Sequence, residues 1–266
     1  MLKIILVQAL PVSQFESLEN LSRALSLLAR CQGQGADLIC FPEYFPYSGE
    51  EELSQAARQL QAYVVAGLVE EDRGKLYNTA TLFDRQGRLV GRQRKCYLSK
   101  LERRAFGVTP GDGWQVLPTD FGLIGLPVCI DFWGQPDAAR ELTAQGADLI
   151  VNPVIHPILR GQWLTGALTR AFDNYLPVVG VNTADFVARL AGGHYSMLGG
   201  HSFAIQPAAT EDKKEQSRLI RSWDDLKPWF LLEGGEGEEI LTAYLDLEGP
   251  RRLRPRIWER FGIRRD

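Results

Sequence analysis

The chain has 266 residues, of which 45% are hydrophobic and 24% charged, as in ordinary globular proteins. Its formal charge of −3 shows no basic excess, so the composition speaks against a nucleic-acid-binding protein. No apolar run reaches the roughly 18 residues of a membrane span, and the opening "MLKIILVQALP" is too short for a secretory signal. We therefore expect a cytoplasmic protein that binds neither nucleic acid nor membranes.

The first elements predict a strand followed by a helix. The apolar run "LKIILVQA" indicates a buried strand. Apolar residues at helical spacing then mark one face of a helix that ends near Cys31. These are Phe15, Leu18, Leu21, Leu25 and Leu28. Together the two elements form a β-α unit.

One stretch of sequence occurs twice in nearly the same form. "QGADLICFP" begins at Gln34, and "QGADLIVNP" begins at Gln145. In both copies the glycine suits the end of a helix, a short apolar strand follows, and a proline ends the strand where a site loop begins. The repeat predicts two related α/β halves packed against each other.

The segments around the second copy complete the predicted architecture. Before it, "YNTATLFD" and "RLVGRQRK" are joined by hairpin turn chemistry at residues 84–87, so neighbouring strands run antiparallel and the sheets are mixed. After it, apolar spacing predicts a helix over residues 161–174, followed by the strands "PVVGVN" and "HSFAIQ". We predict a single-domain α/β protein, a four-layer α-β-β-α sandwich with two mixed sheets.

Two segments near the C-terminus depart from this pattern within the single domain of residues 1–266. Residues 210–238 combine a charged run, the tryptophans Trp223 and Trp229, and the glycine-rich "EGGEGEE". We interpret them as an excursion from the core that the tryptophans anchor. "EILTAYLDL" then returns to a strand pattern. Residues 249–266 form a basic tail, which is typical of a solvated face or a docking strap.

The four cysteines, Cys31, Cys40, Cys96 and Cys129, lack CxxC spacing. They sit mostly in apolar contexts, so we expect free thiols without a disulfide framework or a metal site. Cys129 stands out because its strand ends there, and "GLPVCIDFWGQPD" continues with a carboxylate and two aromatics. A cysteine in this position is either a small buried side chain or a nucleophile.

A nucleophilic thiol needs a base, and the sequence offers two kinds. His194 and His201, in the glycine-rich "AGGHYSMLGGHSF", leave a Cys/His hydrolase open. Glu43, in "CFPEYFPYSG", follows a strand end among aromatics, where an apolar pocket raises a carboxyl pKa and favours proton transfer from a thiol. Lys95 also ends a strand, with Glu102 seven residues later, and an ammonium held between carboxylates stabilises an oxyanion.

Taken in chain order, these fragments resemble the nitrilase-like carbon–nitrogen hydrolases. The resemblance rests on Glu43 in "FPE", Lys95 in "RKCYL", Glu102 before "PGDG" and Cys129 in "GLPVCID", with "RAFDN" and "GGHSFAIQP" beside them. It spans residues 3–208 and resumes at "EILTAYLDL". It implies an α-β-β-α sandwich, dimers or larger homo-oligomers, and no metal or organic cofactor.

The resemblance also implies a role for each site residue. Glu43 is the expected general base, Lys95 the oxyanion stabiliser and Cys129 the nucleophile. Glu102 is expected to position Lys95, and the backbone N–H of Ile130 to help hold the oxyanion. The implied reaction is hydrolysis of a small linear amide or N-carbamoyl compound through a cysteine thioester, which releases a carboxylic acid and ammonia or an amine.

The segment after the nucleophile differs from the family pattern. "CIDFWGQPDAAREL" is one residue longer than usual before the helix, and nitrile-hydrolysing members usually carry Trp-Glu directly after the cysteine. We therefore favour an amide, and we expect substrate contacts from Tyr44, Asp131, Phe132 and Trp133. A nitrile hydrolase, or a catalytically silent relative acting as a binding or scaffold subunit, remains the alternative.

Overall fold

In the computed structural model, two β-sheets pack face to face and carry helices on their outer faces. The described residues are 1–104, 106–134, 137–155, 160–190, 193–207 and 229–260. Within these ranges, no helix has the length and apolar character needed to cross a membrane.

The first sheet is mixed, with parallel strands in its middle. Its strands are β1 (Leu2–Gln8), β2 (Leu38–Cys40), β3 (Pro46–Tyr47), β4 (Tyr63–Asp72), β5 (Lys75–Phe83), β6 (Leu89–Arg94) and β15 (Glu239–Leu245). They lie in the order β15-β1-β2-β4-β5-β6, and β3 pairs with β4. The β1-β2 and β2-β4 pairs are parallel, whereas the β15-β1, β4-β5 and β5-β6 pairs are antiparallel.

The second sheet is also mixed. Its strands are β7 (Val116–Thr119), β8 (Gly122–Gly125), β9 (Leu149–Pro153), β10 (Val178–Val181), β13 (Phe203–Ile205) and β14 (Phe230–Glu233), in the order β14-β13-β10-β9-β8-β7. The β8-β9 and β9-β10 pairs are parallel. A separate hairpin consists of β11 (Phe186–Leu190) and β12 (Gly193–Met197).

The helices lie between and around these strands. They are α1 (Leu18–Arg30), α2 (Glu50–Leu60), α3 (Lys100–Arg104), α4 (Ile130–Trp133), α5 (Asp137–Ala144), α6 (Arg160–Asn174) and α7 (Glu248–Arg260). The Ser17 side chain begins α1 by accepting a hydrogen bond from the Glu19 N–H at 3.2 Å.

The alternation of side chains along β1 explains the layering. Ile4 and Leu6 point to one face and join the core between the two sheets. Ile5 and Val7 point to the other face, where they pack in a cluster with buried residues of α1 and α2. On the far side, Trp163 of α6 lies against the second sheet. The predicted four-layer α-β-β-α sandwich with two mixed sheets is therefore confirmed.

The repeated sequence places one strand in each sheet. The first copy forms β2, and the second forms β9. The glycine of each copy, Gly35 and Gly146, has a positive φ, of 63° and 96°, which suits the chain reversal between a helix and its following strand. Strand β2 is followed by Glu43 of the candidate site, and β9 is followed by Ile155, whose N–H donates to the Glu43 side chain.

The structure describes the predicted excursion at residues 210–238 only from Trp229 onward, so Trp223 lies outside the described residues. There the chain is part of the fold, because β14 pairs with β13 at the edge of the second sheet. The Trp229 ring lies 4.1 Å from the Phe172 ring, centroid to centroid, and so packs against α6. The end of this segment thus extends a sheet.

The described part of the basic tail, residues 249–260, belongs to helix α7, which docks onto the fold. Arg254 is 3% exposed and donates hydrogen bonds to the carbonyl oxygens of Ala147, at 2.8 Å, and Tyr175, at 3.2 Å. Arg251 donates to the Asp148 carboxylate at 2.7 Å. Two of its arginines therefore fasten the tail to the segments that lead into β9 and β10.

Candidate active site

Cys129 sits at a sharp elbow between the second sheet and α4. Its φ and ψ angles, 51° and −118°, define a conformation that residues with a side chain rarely adopt. The Cys129 N–H donates to the Pro153 carbonyl at 2.9 Å. The Asn152 amide donates to the carbonyls of Pro127 and Cys129, at 2.7 and 3.2 Å. These contacts with the end of β9 hold the elbow in place.

Asn152 is itself oriented by helix α6. Trp163 Nε1 donates to Asn152 Oδ1 at 2.9 Å, and both side chains are fully buried. Because the carbonyl end of the amide takes this hydrogen bond, its NH₂ end faces the elbow. The nucleophile elbow therefore depends on a residue of the second sequence repeat and on a helix of the outer layer.

Glu43 follows β2 and is 1% exposed. Its Oε1 accepts from Lys95 Nζ at 2.8 Å, and its Oε2 accepts from the Ile155 N–H at 2.9 Å. Gly67 of β4 packs directly against this segment, since a Cβ atom there would lie 2.8 Å from the Glu43 carbonyl carbon. Close backbone packing thus fixes the position of the carboxylate.

Lys95 lies between two carboxylates. It follows β6, is 4% exposed, and donates from Nζ to Glu43 Oε1 at 2.8 Å and to both Glu102 oxygens at 3.0 Å. Burial alone would lower the pKa of Lys95, but the negative charges of Glu43, Cys129 and Glu102 raise the pKa well above its usual range. The side chain is therefore a protonated ammonium.

Glu102 is held by the first turn of α3. The Ser99 N–H donates to Glu102 Oε2 at 2.8 Å, and the Glu102 N–H donates to Ser99 Oγ at 3.2 Å, which forms a capping box. The Tyr44 hydroxyl donates to Glu102 Oε1 at 3.1 Å. Burial would raise the pKa of Glu102, but Lys95, the Ser99 N–H and the Asn78 amide lower it overall, so Glu102 stays ionised.

The pKa values of Glu43 and Glu102 shift in opposite directions. Burial raises the pKa of Glu43, aided by the negative charge of Glu102 and only partly offset by Lys95. Burial likewise raises the pKa of the Cys129 thiol, and the negative charge of Glu43 adds to this. When the environments of two carboxyl groups separate their pKa values, the group with the raised pKa accepts the proton and the other stays ionised. Here Glu43 is the acceptor and Glu102 stays ionised. The arrangement suits proton transfer from Cys129 to Glu43.

The sequence analysis missed Asn78. This residue of β5 is 1% exposed and donates from Nδ2 to Glu43 Oε1 at 2.7 Å and to Glu102 Oε1 at 3.0 Å. The sequence signal that would have found it is an amide side chain among the mostly apolar residues of "YNTATLFD". Asn152 was missed as well, although it stands in the second copy of the repeat.

Asp131 was predicted to contact substrate, and its surroundings lead to a different assignment. Its carboxylate is 0% exposed and accepts from the backbone N–H groups of Cys96, at 2.9 Å, and Tyr97, at 2.7 Å, and from Trp114 Nε1, at 3.3 Å. Burial raises its pKa to about 6 despite these donors. We assign Asp131 a positioning role, because it ties α4 to the segment that follows Lys95.

The aromatic residues that were predicted to contact substrate also make contacts within the protein. Phe132 is 0% exposed and belongs to the core, so we assign it to packing rather than to substrate contact. Trp133 is half-buried against the same core, and its carbonyl accepts from Arg170 Nη2 at 3.4 Å. Tyr44 is 7% exposed and reaches the cluster through Glu102. Ile130, as the first residue of α4, presents an N–H that has no acceptor within the helix.

The histidines of the alternative Cys/His hydrolase lie elsewhere. His194 is exposed on β12, and His201 Nδ1 lies 3.3 Å from Glu233 Oε1. Among the charged groups that shift the pKa of the Cys129 thiol, Glu43 has the largest effect. In the part of the chain that the structure describes, no group of three His, Cys, Asp or Glu side chains is arranged to hold a metal ion.

Comparisons with known sequences point to one family. The family model for carbon–nitrogen hydrolases matches residues 3–215. Omega-amidase NIT2 of Mus musculus is 29% identical over 231 residues, which cover 76% of this chain and 83% of that protein. Omega-amidase NIT2 of Xenopus tropicalis is 27% identical over 267 residues, which cover 90% and 87%.

Solved structures share the fold. A carbon–nitrogen hydrolase from Helicobacter pylori G27 has a TM-score of 0.78 at 24% identity, covering 99% of this chain and 95% of that one. Saccharomyces cerevisiae Nit3, a member of branch 10 of the nitrilase superfamily, has a TM-score of 0.76 at 25% identity, covering 96% and 94%. The resemblance drawn from Glu43, Lys95 and Cys129 is thereby confirmed, and the chain belongs to the carbon–nitrogen hydrolase family of the nitrilase superfamily.

Proposed function

We propose that the protein is an amidase that cleaves a small linear amide or N-carbamoyl compound through a cysteine thioester. The observation that carries the proposal is the buried cluster in which Lys95 binds the carboxylates of Glu43 and Glu102, next to a Cys129 thiol whose pKa is raised by burial and by the charge of Glu43. A thiol, a neighbouring base and a fixed cation are the components of nucleophilic acyl transfer. The similarity to omega-amidases supports an amide as substrate.

In the first half of the proposed reaction, Cys129 Sγ attacks the carbonyl carbon while its proton moves to Glu43. The negative charge that develops on the carbonyl oxygen is held by the Lys95 ammonium and the Ile130 N–H. The C–N bond then breaks as Glu43 gives its proton to the leaving nitrogen. Ammonia or an amine departs, and a thioester to Cys129 remains.

In the second half, water attacks the thioester carbon while Glu43 takes its proton. The same oxyanion donors stabilise the second tetrahedral intermediate. As the C–S bond breaks, the sulfur recovers a proton through Glu43, and a carboxylic acid leaves. Glu43 thus acts twice as base and twice as acid, which suits a carboxyl group whose burial raises its pKa.

The test is ammonia release from a panel of primary amides, N-carbamoyl compounds and nitriles. We expect the wild type to act on members of the first two groups and the Cys129→Ala variant to act on none. Cys31→Ala is the matched control, because it removes another buried free thiol, one that hydrogen-bonds the Leu27 carbonyl at the end of α1. Release that persists in Cys129→Ala would refute the thioester mechanism. An inert wild type with an unreactive Cys129 would favour the silent binding subunit.

The homo-oligomer implied by the family resemblance also remains a proposal. We expect a dimer or a larger assembly in solution. Light scattering coupled to size-exclusion chromatography measures its mass directly, and a monomer across micromolar concentrations would contradict the proposal.

A further inference from the structure

Asn78 bridges the two carboxylates of the candidate site. Its Nδ2 donates to Glu43 Oε1 at 2.7 Å and to Glu102 Oε1 at 3.0 Å. Lys95 Nζ donates to the same two oxygens, at 2.8 and 3.0 Å. The carboxylates are therefore bridged twice, once by a cation and once by a neutral amide.

The orientation of the Asn78 amide follows from these neighbours. Ionised carboxylates only accept hydrogen bonds, so the NH₂ end of the amide has to face them. The Oδ1 end is buried and has no hydrogen-bond partner among the described residues. Leaving a buried acceptor unpaired is unfavourable. The contacts with Glu43 and Glu102 thus outweigh the unpaired oxygen.

The double bridge makes the two oxygens of Glu43 unequal. A carboxylate oxygen offers two lone-pair sites, and Oε1 already accepts from both Asn78 and Lys95. Oε2 accepts from the Ile155 N–H at 2.9 Å. One lone pair therefore stays available at Oε2.

We propose that Asn78 is a positioning residue that occupies Oε1 of Glu43 and so makes Oε2 the atom that exchanges protons with Cys129 and the leaving nitrogen. In this step the S–H bond breaks and an O–H bond forms at Oε2, while sulfur forms the C–S bond. The same proton then passes from Oε2 to the leaving nitrogen as the C–N bond breaks. The inference rests on the proposed function and specifies which atom of its base is used.

Asn78→Ala tests this inference, with Asn78→Ser as a second variant that retains a single donor. Without the amide, Oε1 becomes a competing proton acceptor and Glu43 loses a donor that favours its ionised form. We expect kcat at neutral pH to fall by about tenfold or more, a fraction of the effect of removing a general base, with KM nearly unchanged. The acidic limb of the pH–rate profile should move upward by about half a unit, because a lost hydrogen bond raises a carboxyl pKa. Asn78→Ser should lie between Asn78→Ala and the wild type.

Thr79→Val is the matched control on the same strand. Thr79 is 1% exposed and donates from Oγ1 to the Leu68 carbonyl at 3.0 Å, so the variant also removes a buried hydrogen bond from β5. Since neighbouring side chains of a strand point to opposite faces, this bond lies away from Glu43. Thr79→Val should lower thermal stability and leave the pH–rate profile unchanged. Equal profiles for Asn78→Ser, Thr79→Val and the wild type would overturn the inference.

A second readout separates this inference from the proposed function. The rate at which iodoacetamide alkylates Cys129 depends on proton transfer to Glu43 and requires no amide hydrolysis. If the wild type releases no ammonia from any substrate, the proposed function fails, while the pH profile of alkylation still tests Asn78. An alkylation profile that shifts in the Asn78 variants and not in Thr79→Val supports the inference. Superimposable profiles contradict it.

Discussion

The sharpest prediction concerns Asn152, which supports the nucleophile without belonging to the proton-transfer cluster. Its amide donates to the carbonyls of Pro127 and Cys129, at 2.7 and 3.2 Å, and accepts from Trp163 Nε1 at 2.9 Å. Asn152→Ala removes all three hydrogen bonds from a fully buried position. At about 1 kcal/mol for each bond, and more where a buried partner stays unpaired, the free energy of unfolding should fall by roughly 3–5 kcal/mol.

The same substitution should loosen the elbow at Cys129. The backbone there has a positive φ of 51°, and such a conformation persists only where its surroundings enforce it. Without the Asn152 amide, the sulfur is free to move away from the line of attack. A displacement of about 1 Å costs on the order of 100-fold in rate, so we expect a loss of that size in kcat.

Asn20→Ala separates the loss of stability from the loss of positioning. Asn20 is equally buried, donates to the carbonyls of Gln14 and Phe15, at 3.0 and 3.1 Å, and accepts from the Val12 N–H at 2.9 Å. Chemical denaturation should therefore show similar destabilisation in the two variants. Ammonia release, measured well below either melting temperature, should fall in Asn152→Ala alone. Equal kcat values in the two variants would refute the argument.

Three further predictions concern the proton-transfer cluster and its packing. The pKa of Glu43 is raised and the base works when ionised, so kcat/KM should fall as the pH drops through a pKa above the usual glutamate range. Glu43→Gln should abolish this acidic limb of the pH–rate profile and lower the rate by about 10²–10⁴. Lys95→Met removes the cation, so kcat should fall by about 10²–10³. Without the ammonium, burial raises the pKa values of the Glu43 and Glu102 carboxyl groups in the folded state, so the free energy of unfolding should decrease as the pH rises above the usual glutamate pKa of about 4.3. Gly67→Ala places a Cβ atom 2.8 Å from the backbone of Glu43 and should lower kcat by about tenfold or more, whereas Gly113→Ala, where a Cβ atom meets nothing within 4 Å, should leave kcat unchanged.

Much of the architecture was predictable because it depends on local patterns. The repeated "QGADLI" text predicts two equivalent strands, and these are the parallel strands β2 and β9 in the two sheets. The residues Glu43, Lys95 and Cys129 stand next to strand ends, where ligands of α/β sheets tend to bind. Their residue types and chain order carry the family resemblance that grouped them, and in the structure Lys95 Nζ donates to Glu43 Oε1 at 2.8 Å.

The supporting residues were not predictable in this way, because their partners are distant in sequence. Asn78 reads as an ordinary strand residue until β5 brings it beside Glu43 and Glu102. Asp131 lies two residues after the nucleophile and was therefore predicted to contact substrate, yet its carboxylate accepts from the N–H groups that follow Lys95. The direction of the Asp131 side chain depends on how the elbow packs, and the neighbouring residues in the sequence do not predict it.

The end of the segment at residues 210–238 illustrates a related limit. Composition marks residues 230–233 as part of an irregular stretch, but in the structure they form β14. The pairing arises because β13 leaves its outer edge open, and backbone hydrogen bonds across an open edge tolerate many side chains. A short edge strand of this kind has little pattern of its own.

The most direct test of the central claim is the mass of the intact protein during turnover. When the wild type is mixed with an amide that it hydrolyses and quenched with acid within milliseconds to seconds, the account predicts a population heavier by the acyl group of that amide. Peptide mapping should place the added mass on Cys129, and Cys129→Ala should show none. Turnover without any acylated protein, or with the acyl group on another residue, would contradict a thioester at Cys129.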